Sequence, residues 1–550
     1  MRAASLGLLV FVSCATPSPA PVAVVTAPTL SPVVVPAVAW PARDQAVHVL
    51  NRAAFGPSPA DLAEVERVGV AAWLSDQLRP GSDPALEQRL GAFKTLNLTV
   101  AQAFEAYPPV EKRLKELGVT AEQLEADPDL KKRLMKENAD ELPRQLMIEA
   151  TQAKLIRSIE SRRQLEEVLV DFWFNHFNVS AEKNRTRWMI SAYEREAIRP
   201  FVFGKFRDLL GATAHHPAML WYLDNWMSVR DGFELPRRRG KFGGGQPFPA
   251  KRMPTGLNEN YARELLELHT VGVEAGYTQD DVREAARALT GWSLKVKPND
   301  ARFGTFVFQS IAHDAGPKEI FGLELPAGGG VEDGEKLLDY LARHPATAKH
   351  VARKLCVRFV SDEPPAALVD RVAAVFLKTD GDLRETVKAI FESPEFWSDE
   401  VRAAKTKTPL EFVASSVRAI GTLNEVKLPM SRVLEQLGEP LYRCNPPTGW
   451  AEVGAPWISA GALVNRINFG LALAGGRLPG VSVTLPAAGT SPAETLDRVS
   501  AAVLGRPLSA QTRQTVLDAL SREESDGEKR VIEPAKVAGL LLGSPEFQHQ

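Results

Sequence analysis

The segment Asn258–Trp292, NENYARELLELHTVGVEAGYTQDDVREAARALTGW, constrains the fold of this chain more than any other. Gly272 stops a first helix. Thr278, followed by Asp281, opens a second with a capping-box-like pair. Val282, Ala285, Ala286 and Leu289 then fall at i, i+3, i+4 and i+7, a stripe that buries one helical face, and Gly291 ends it. The same grammar recurs along the chain. Leu50, Ala53 and Ala54 open the folded body, Phe55-Gly56-Pro57 stops that segment, and Ser58-Pro59 starts the next helix with a cap and a first-turn proline. Residues 108–150 have the composition of solvated helices, and residues 151–198 carry long helical patterns with aromatic clusters. The expected fold class is therefore all-α, a multi-helix globular body. One small β-hairpin is expected near residues 303–325, with Phe303, Thr305 and Val307 in one strand and Ile320–Leu325 as its partner.

The 550 residues are 44% hydrophobic, enough for a large core, and the net charge of -2 argues against a general nucleic-acid binder. Three cysteines, Cys14, Cys356 and Cys444, do not make a disulfide framework. No internal apolar run is long enough to span a bilayer. The first residues read as a leader: Arg2 supplies positive charge, Leu6–Val12 a short apolar stretch, and Phe11-Val12-Ser13-Cys14 resembles the site where a bacterial lipoprotein is cleaved and its Cys lipidated. An ordinary secretory signal cut after an Ala is the other reading, and both export the protein. Residues 1–13 are thus expected to be a signal peptide. Residues 14–42 are expected to be a lipid-anchor Cys followed by a semi-rigid Pro-rich spacer. A helical domain over 43–475, with a flexible Arg- and Gly-rich insertion at 230–256, is expected to precede a small helical module at 476–550. Asp370–Trp397 is weakly echoed by Asp497–Gln548 in that module, although Ser-Pro-Glu, common to both, is itself a helix-start signature.

Three places carry candidate chemistry. His176 follows Phe172 and Trp173 by four and three residues, so its ring faces an aromatic surface. In the opening segment His269 and Glu264 lie about 140° apart on a regular helix and cannot ligate one ion, whereas Glu259 and Arg263 are spaced to pair. His313-Asp314, with Lys318, reads as the best-exposed titratable set, on a glycine-containing loop. Convergence of His176, His269, His313 and Asp314 would give a metal site or an acid–base centre. Arg263 or Lys318 would steady negative charge there. A satisfied interior His competes with that reading at each position. Trp221, Tyr222, Asn225 and Trp226 form a further aromatic and amide cluster, suited to a glycan or peptide cleft and equally to a core. The chain has no Gly-x-Ser-x-Gly elbow, no Cys-x-x-Cys and no phosphate-binding Gly-rich loop.

Taken in order, several motifs resemble the bacterial family called domain of unknown function 1800: His48–Arg52 with Phe55-Gly56-Pro57, Asp171–Phe177, Leu220–Asn225, Asn258–Gly272, Arg287–Trp292, His313–Lys318, Lys407-Thr408-Pro409 and Pro446–Trp450. The family often has a His where Phe174 stands, which weakens any metal site built on that position. The resemblance implies exported, largely helical bacterial proteins, often encoded beside proteins that look like alkaline-phosphatase or sulfatase-type enzymes. One of these is the expected partner. It implies no reaction, cofactor or catalytic residue.

Two functional readings follow. The first is an envelope hydrolase acting on a polymer or its fragments. The second is a non-catalytic, lipid-anchored scaffold that binds a partner protein or glycan. Either would sit in the periplasm or at the outer membrane, held to the membrane only by the lipid on Cys14.

Overall fold

The computed structural model describes residues 31–234, 256–297, 300, 302–521 and 533–550. The expected signal peptide, Cys14, the first half of the spacer and most of the insertion lie outside the described residues. Residues Val33–Gln550 form one compact unit. The end of the spacer packs on it: Val33 N–H donates to Ser75 Oγ, and Trp40 Nε1 donates to Asp399 Oδ1 at 2.7 Å.

Helices dominate, as the patterning requires. Thr278 and Asp281 form a reciprocal capping box, and Val282, Ala285, Ala286 and Leu289 are all fully buried. The helix before it departs from regular geometry. Asn260–Glu264 is α-helical, and Leu265–His269 continues as a single π-turn, a widening often found at functional sites.

The β structure among the described residues differs in pairing from the single expected hairpin. Phe306–Phe308 pairs antiparallel with Trp292–Leu294, just after the opening segment. Lys318–Ile320 instead folds back onto Leu323–Leu325. Phe321 and Gly322 both have positive φ, and such a two-residue turn lets adjacent residues pair without a distant strand. A third pair, Gly421–Leu423 with Val481–Val483, ties the C-terminal segment to the body.

The expected C-terminal module, 476–550, belongs to the same compact unit. Its helix Pro534–Leu542 packs on Ala460–Ala474 and Pro492–Leu504. Among the described residues no helix is long and apolar enough to cross a membrane.

Candidate functional site

The helix Gln164–His176 divides the motif chemistry between two sides. Asp171, Phe174 and Asn175 fall at i, i+3 and i+4 and, with Asn178 just past the helix end, line one small cavity. His176 lies elsewhere on the helix, among Phe172, Trp173 and Phe177.

The cavity has a volume of about 30 Å³, close to the space of one water molecule. Its opposite wall is the loop that follows the helix Leu428–Gln436, and amide side chains hold that loop in place. Asn175 accepts a hydrogen bond from Trp450 N–H at 2.6 Å and donates to Trp450 O and to Glu452 Oε1, each at 2.9 Å. Asn178 donates to Cys444 O and Pro446 O. Gly449 has φ +74°, and a Cβ there would sit 2.4 Å from Asn175 O and Oδ1, so only glycine allows this approach. The motifs Asp171–Phe177, Lys407-Thr408-Pro409 and Pro446–Trp450, far apart in the chain, meet here.

Ions crowd this space. Lys154 Nζ lies 2.7 Å from Asp171 Oδ1 and 3.9 Å from Glu194 Oε2, above the rings of Phe174 and Tyr442. Arg358 is ion-paired with Glu411 and lies 3.9 Å from Glu452 Oε2. Glu439 accepts the N–H of Leu410 at 2.8 Å. Two cations, Lys154 and Arg358, thus face three lining carboxyl groups, Asp171, Glu439 and Glu452. Like charges so close in a largely buried space do not all ionise. Burial, then the neighbouring Asp171, push Glu439 up to about 8, so it keeps its proton at neutral pH. Burial also raises Glu452, against the pull of Arg358. Burial acts on Glu194 too, but Lys154, Arg199 and the Tyr442 hydroxyl outweigh it and hold the carboxylate down at about 2.

Tyr442 is the unusual wall of this cavity. Its φ is +62°, a left-handed conformation that is a genuine outlier for a bulky side chain. Its hydroxyl donates to Glu194 Oε2 at 2.7 Å, and its backbone carbonyl accepts from Ala181 N–H. Tyr442 also lines a second pocket of about 240 Å³, whose walls include Arg157, Glu194, Arg199, Asn97 and Ser191.

The histidines singled out in the sequence divide into two groups. His176 and His269 come together, with ring centroids 6.2 Å apart and His176 Nε2 3.1 Å from His269 O. His350 lies 6.2 Å from the His176 ring. His176 Nδ1 and His269 Nε2 are buried without a hydrogen-bond partner. Burial, reinforced by Lys354 and His350, holds His269 down at about 3 and His176 well below its ordinary value. These rings are neutral at physiological pH.

His313 makes no hydrogen bond, ion pair or ring contact with either of them among the described residues. It belongs to a second buried cluster. Its Nε2 lies 3.3 Å from Asp333 Oδ2, and Lys318 Nζ donates to the same oxygen at 2.7 Å and to Asp314 O and Gly316 O. This set, read from the sequence as the best exposed, has Lys318 and Asp333 side chains 0% and 1% exposed. The helix Val331–Arg343 carries Asp333 over the loop and supplies an anion that the local sequence lacks. Asp314 turns away to Arg287, which forks it at 2.8 and 3.1 Å and holds its carboxylate down at about 2. Arg263 pairs with Glu259 at 3.1 Å. Among the described residues no group of three or more His, Cys, Asp or Glu side chains is arranged to hold a metal ion.

A family model described as "Protein of unknown function (DUF1800)" matches residues 48–549. The chain belongs to this family. Comparison with curated proteins and with solved structures gives no match. The DUF1800 match spans both histidine clusters, the ionic cavity and the C-terminal helices, so all of them are parts of one family domain. The motif residues of greatest chemical interest are then Asp171 and Asn175, not the adjacent His176. The cue in the sequence was the 171-174-175-178 spacing, which puts two amides and a carboxylate on one face. Lys154, Arg358, Glu439, Tyr442 and Glu452 carried no such cue, because they reach the cavity from two other helices and from an irregular loop with no periodic spacing.

Proposed function

We propose that this protein is an exported cell-envelope hydrolase whose reacting centre is the carboxyl-lined cavity, not the histidines. One observation carries the reading: three carboxyl groups, Asp171, Glu439 and Glu452, share one small cavity with Lys154 and Arg358, an arrangement in which burial raises Glu439 to about 8. Environments that pull neighbouring carboxyls apart in proton affinity are how acid and base roles are assigned. Glu439 would give its proton to the leaving group. Glu452, held by Asn175, would take a proton from the attacking water, whose oxygen bonds to the electrophilic centre as the scissile bond breaks. Lys154 and Arg358 would offset developing negative charge. The second pocket lined by Tyr442 offers room for a polymer fragment, and Tyr442 must move for its scissile bond to reach Glu439.

Export rests on the leader, and anchoring rests on Cys14. A phosphatase- or sulfatase-like partner rests on the family resemblance alone. A second reading is favoured by the cavity's size: about 30 Å³ admits no substrate unless Tyr442 moves, which suits a non-catalytic scaffold locked by ion pairs. The test is incubation of the full chain with solubilised envelope glycans and peptides, with products followed by mass spectrometry. The hydrolase reading expects product from the wild type and none from folded Glu439→Gln or Glu452→Gln protein. Turnover that survives both substitutions, or no turnover of any polymer, sinks it.

A further inference from the structure

A groove of about 280 Å³ lies between the start of the helix Arg144–Glu160 and the helix Leu428–Gln436, and four arginines line it. Arg443 is neutralised, pairing with Glu182 at 2.6 Å and with Glu435. Arg144, Arg187 and Arg432 make no ion pair and no side-chain hydrogen bond among the described residues. Arg187 is only half-exposed, and its Nε is buried without a partner. Elsewhere Arg157, Arg199, Arg207, Arg287 and Arg358 each face a carboxylate, and arginines without an ion pair, such as the buried Arg52 and Arg384, occur singly, whereas here three line one concave surface. Guanidinium groups left unpaired around one concave surface await an anion.

The charge count narrows the anion. Four arginines against Glu182 and Glu435 leave an excess of two positive charges along the groove. A carboxylate supplies one negative charge, whereas a phosphate monoester carries about 1.5 to 2 at neutral pH, with oxygens for several forked contacts. The groove also has apolar wall, from Met147, Ile148 and Leu441. We infer that this groove binds a phosphate monoester with an apolar group beside it. The phosphate is held by Arg144, Arg187 and Arg432, and the apolar group rests on Met147, Ile148 and Leu441. The inference does not depend on the hydrolase reading. The phosphate is either on a soluble ligand or on a lipid headgroup.

The experiment uses the full chain carrying Cys14→Ser, so that no acyl chain attaches it to a bilayer. Inorganic phosphate is titrated calorimetrically at low salt. Flotation is run in parallel on phosphatidylcholine vesicles with and without phosphatidic acid. Saturable one-to-one phosphate binding is expected, weakened about tenfold or more in Arg144→Gln/Arg432→Gln, whose side chains are exposed and whose melting should not change. Binding to phosphatidic-acid vesicles that free phosphate displaces supports a lipid source. Phosphate binding without vesicle binding supports a soluble one. Absence of saturable phosphate binding overturns the inference. So does equal competition by acetate, or equal weakening in Arg283→Gln/Arg498→Gln, which removes the same charge elsewhere.

Discussion

Replacing Glu439 by Gln should stabilise the protein, and by an amount set by pH. Glu439 titrates at about 8 when folded and at the ordinary 4.5 when unfolded. The folded state therefore holds a proton that the unfolded state has lost between those values. Stability falls as pH rises through that window, because folding must either keep the proton or bury a charge. The gap is worth about 1 kcal/mol at pH 5, about 3 at pH 7 and about 5 above pH 8. Gln has the same shape as the protonated carboxyl. Its carbonyl can still accept the Leu410 N–H, and its amide can donate to a neighbouring carboxylate, so little packing is lost. For a cooperative unit of roughly 500 residues, 1 kcal/mol corresponds to about 1 °C in melting temperature. Glu439→Gln should then melt about 1 °C above wild type at pH 5, about 3 °C at pH 7 and about 5 °C at pH 9, while losing any hydrolysis. Calorimetric melts of the two proteins across this range measure it. A difference that does not grow with pH, or a variant less stable at pH 9, refutes the assignment of a buried, protonated Glu439.

Two further perturbations probe the buried histidine clusters. Asp333→Asn leaves the enclosed Lys318 ammonium and His313 without their shared anion; breaking a buried pair in this way costs about 3–5 kcal/mol, and a loss under about 1 kcal/mol in urea unfolding would contradict the geometry. His269 is held at about 3 against 6.5 when unfolded, so the unfolded state takes up protons first and stability falls as pH drops below about 6.5. The stability advantage of wild type over His269→Gln should narrow by about 2 kcal/mol from pH 7 to pH 5, and a constant advantage would show that the ring is not buried neutral.

What the sequence revealed divides along a physical line. Features encoded within one helix were readable: the 278–281 capping box, the 282–289 stripe and the Glu259–Arg263 pair depend only on spacing of three or four residues. Phe172 and Trp173 beside His176 belong to the same class. Features that depend on a partner from another element were not. His313 and Lys318 look exposed on their own loop, and Asp333, fifteen residues beyond Lys318, buries them. The strand Phe306–Phe308 was visible, but its partner was not, since the Phe321-Gly322 turn let the expected partner pair with itself. The helix of His269 was treated as regular, and a single π-turn alters the angles on which such reasoning rests. At the cavity only the Asp171, Phe174, Asn175 face was legible. Its meaning depends on Lys154, Arg358, Glu439 and Glu452, which long-range packing alone brings together.

The cavity's composition bears on whether a scaffold explanation suffices. Buried ion pairs rarely add stability over well-packed apolar side chains, so their presence asks for another reason. Fixing register is one, and the Asn175 clasp on Trp450, with Lys154 bridging Asp171 and Glu194, would serve it. Register, however, is satisfied by balanced charges. Here two cations meet three carboxyls, and charge balance is reached only because Glu439 keeps a proton, which costs stability as pH rises. Tyr442, which lines both this centre and the larger pocket, adds backbone strain. The proton on Glu439 holds no helices together, and Tyr442, although it ties Glu194 and Ala181 to this loop, does so with a left-handed backbone. Both are features that stability alone would remove and that proton transfer behind a movable wall would retain.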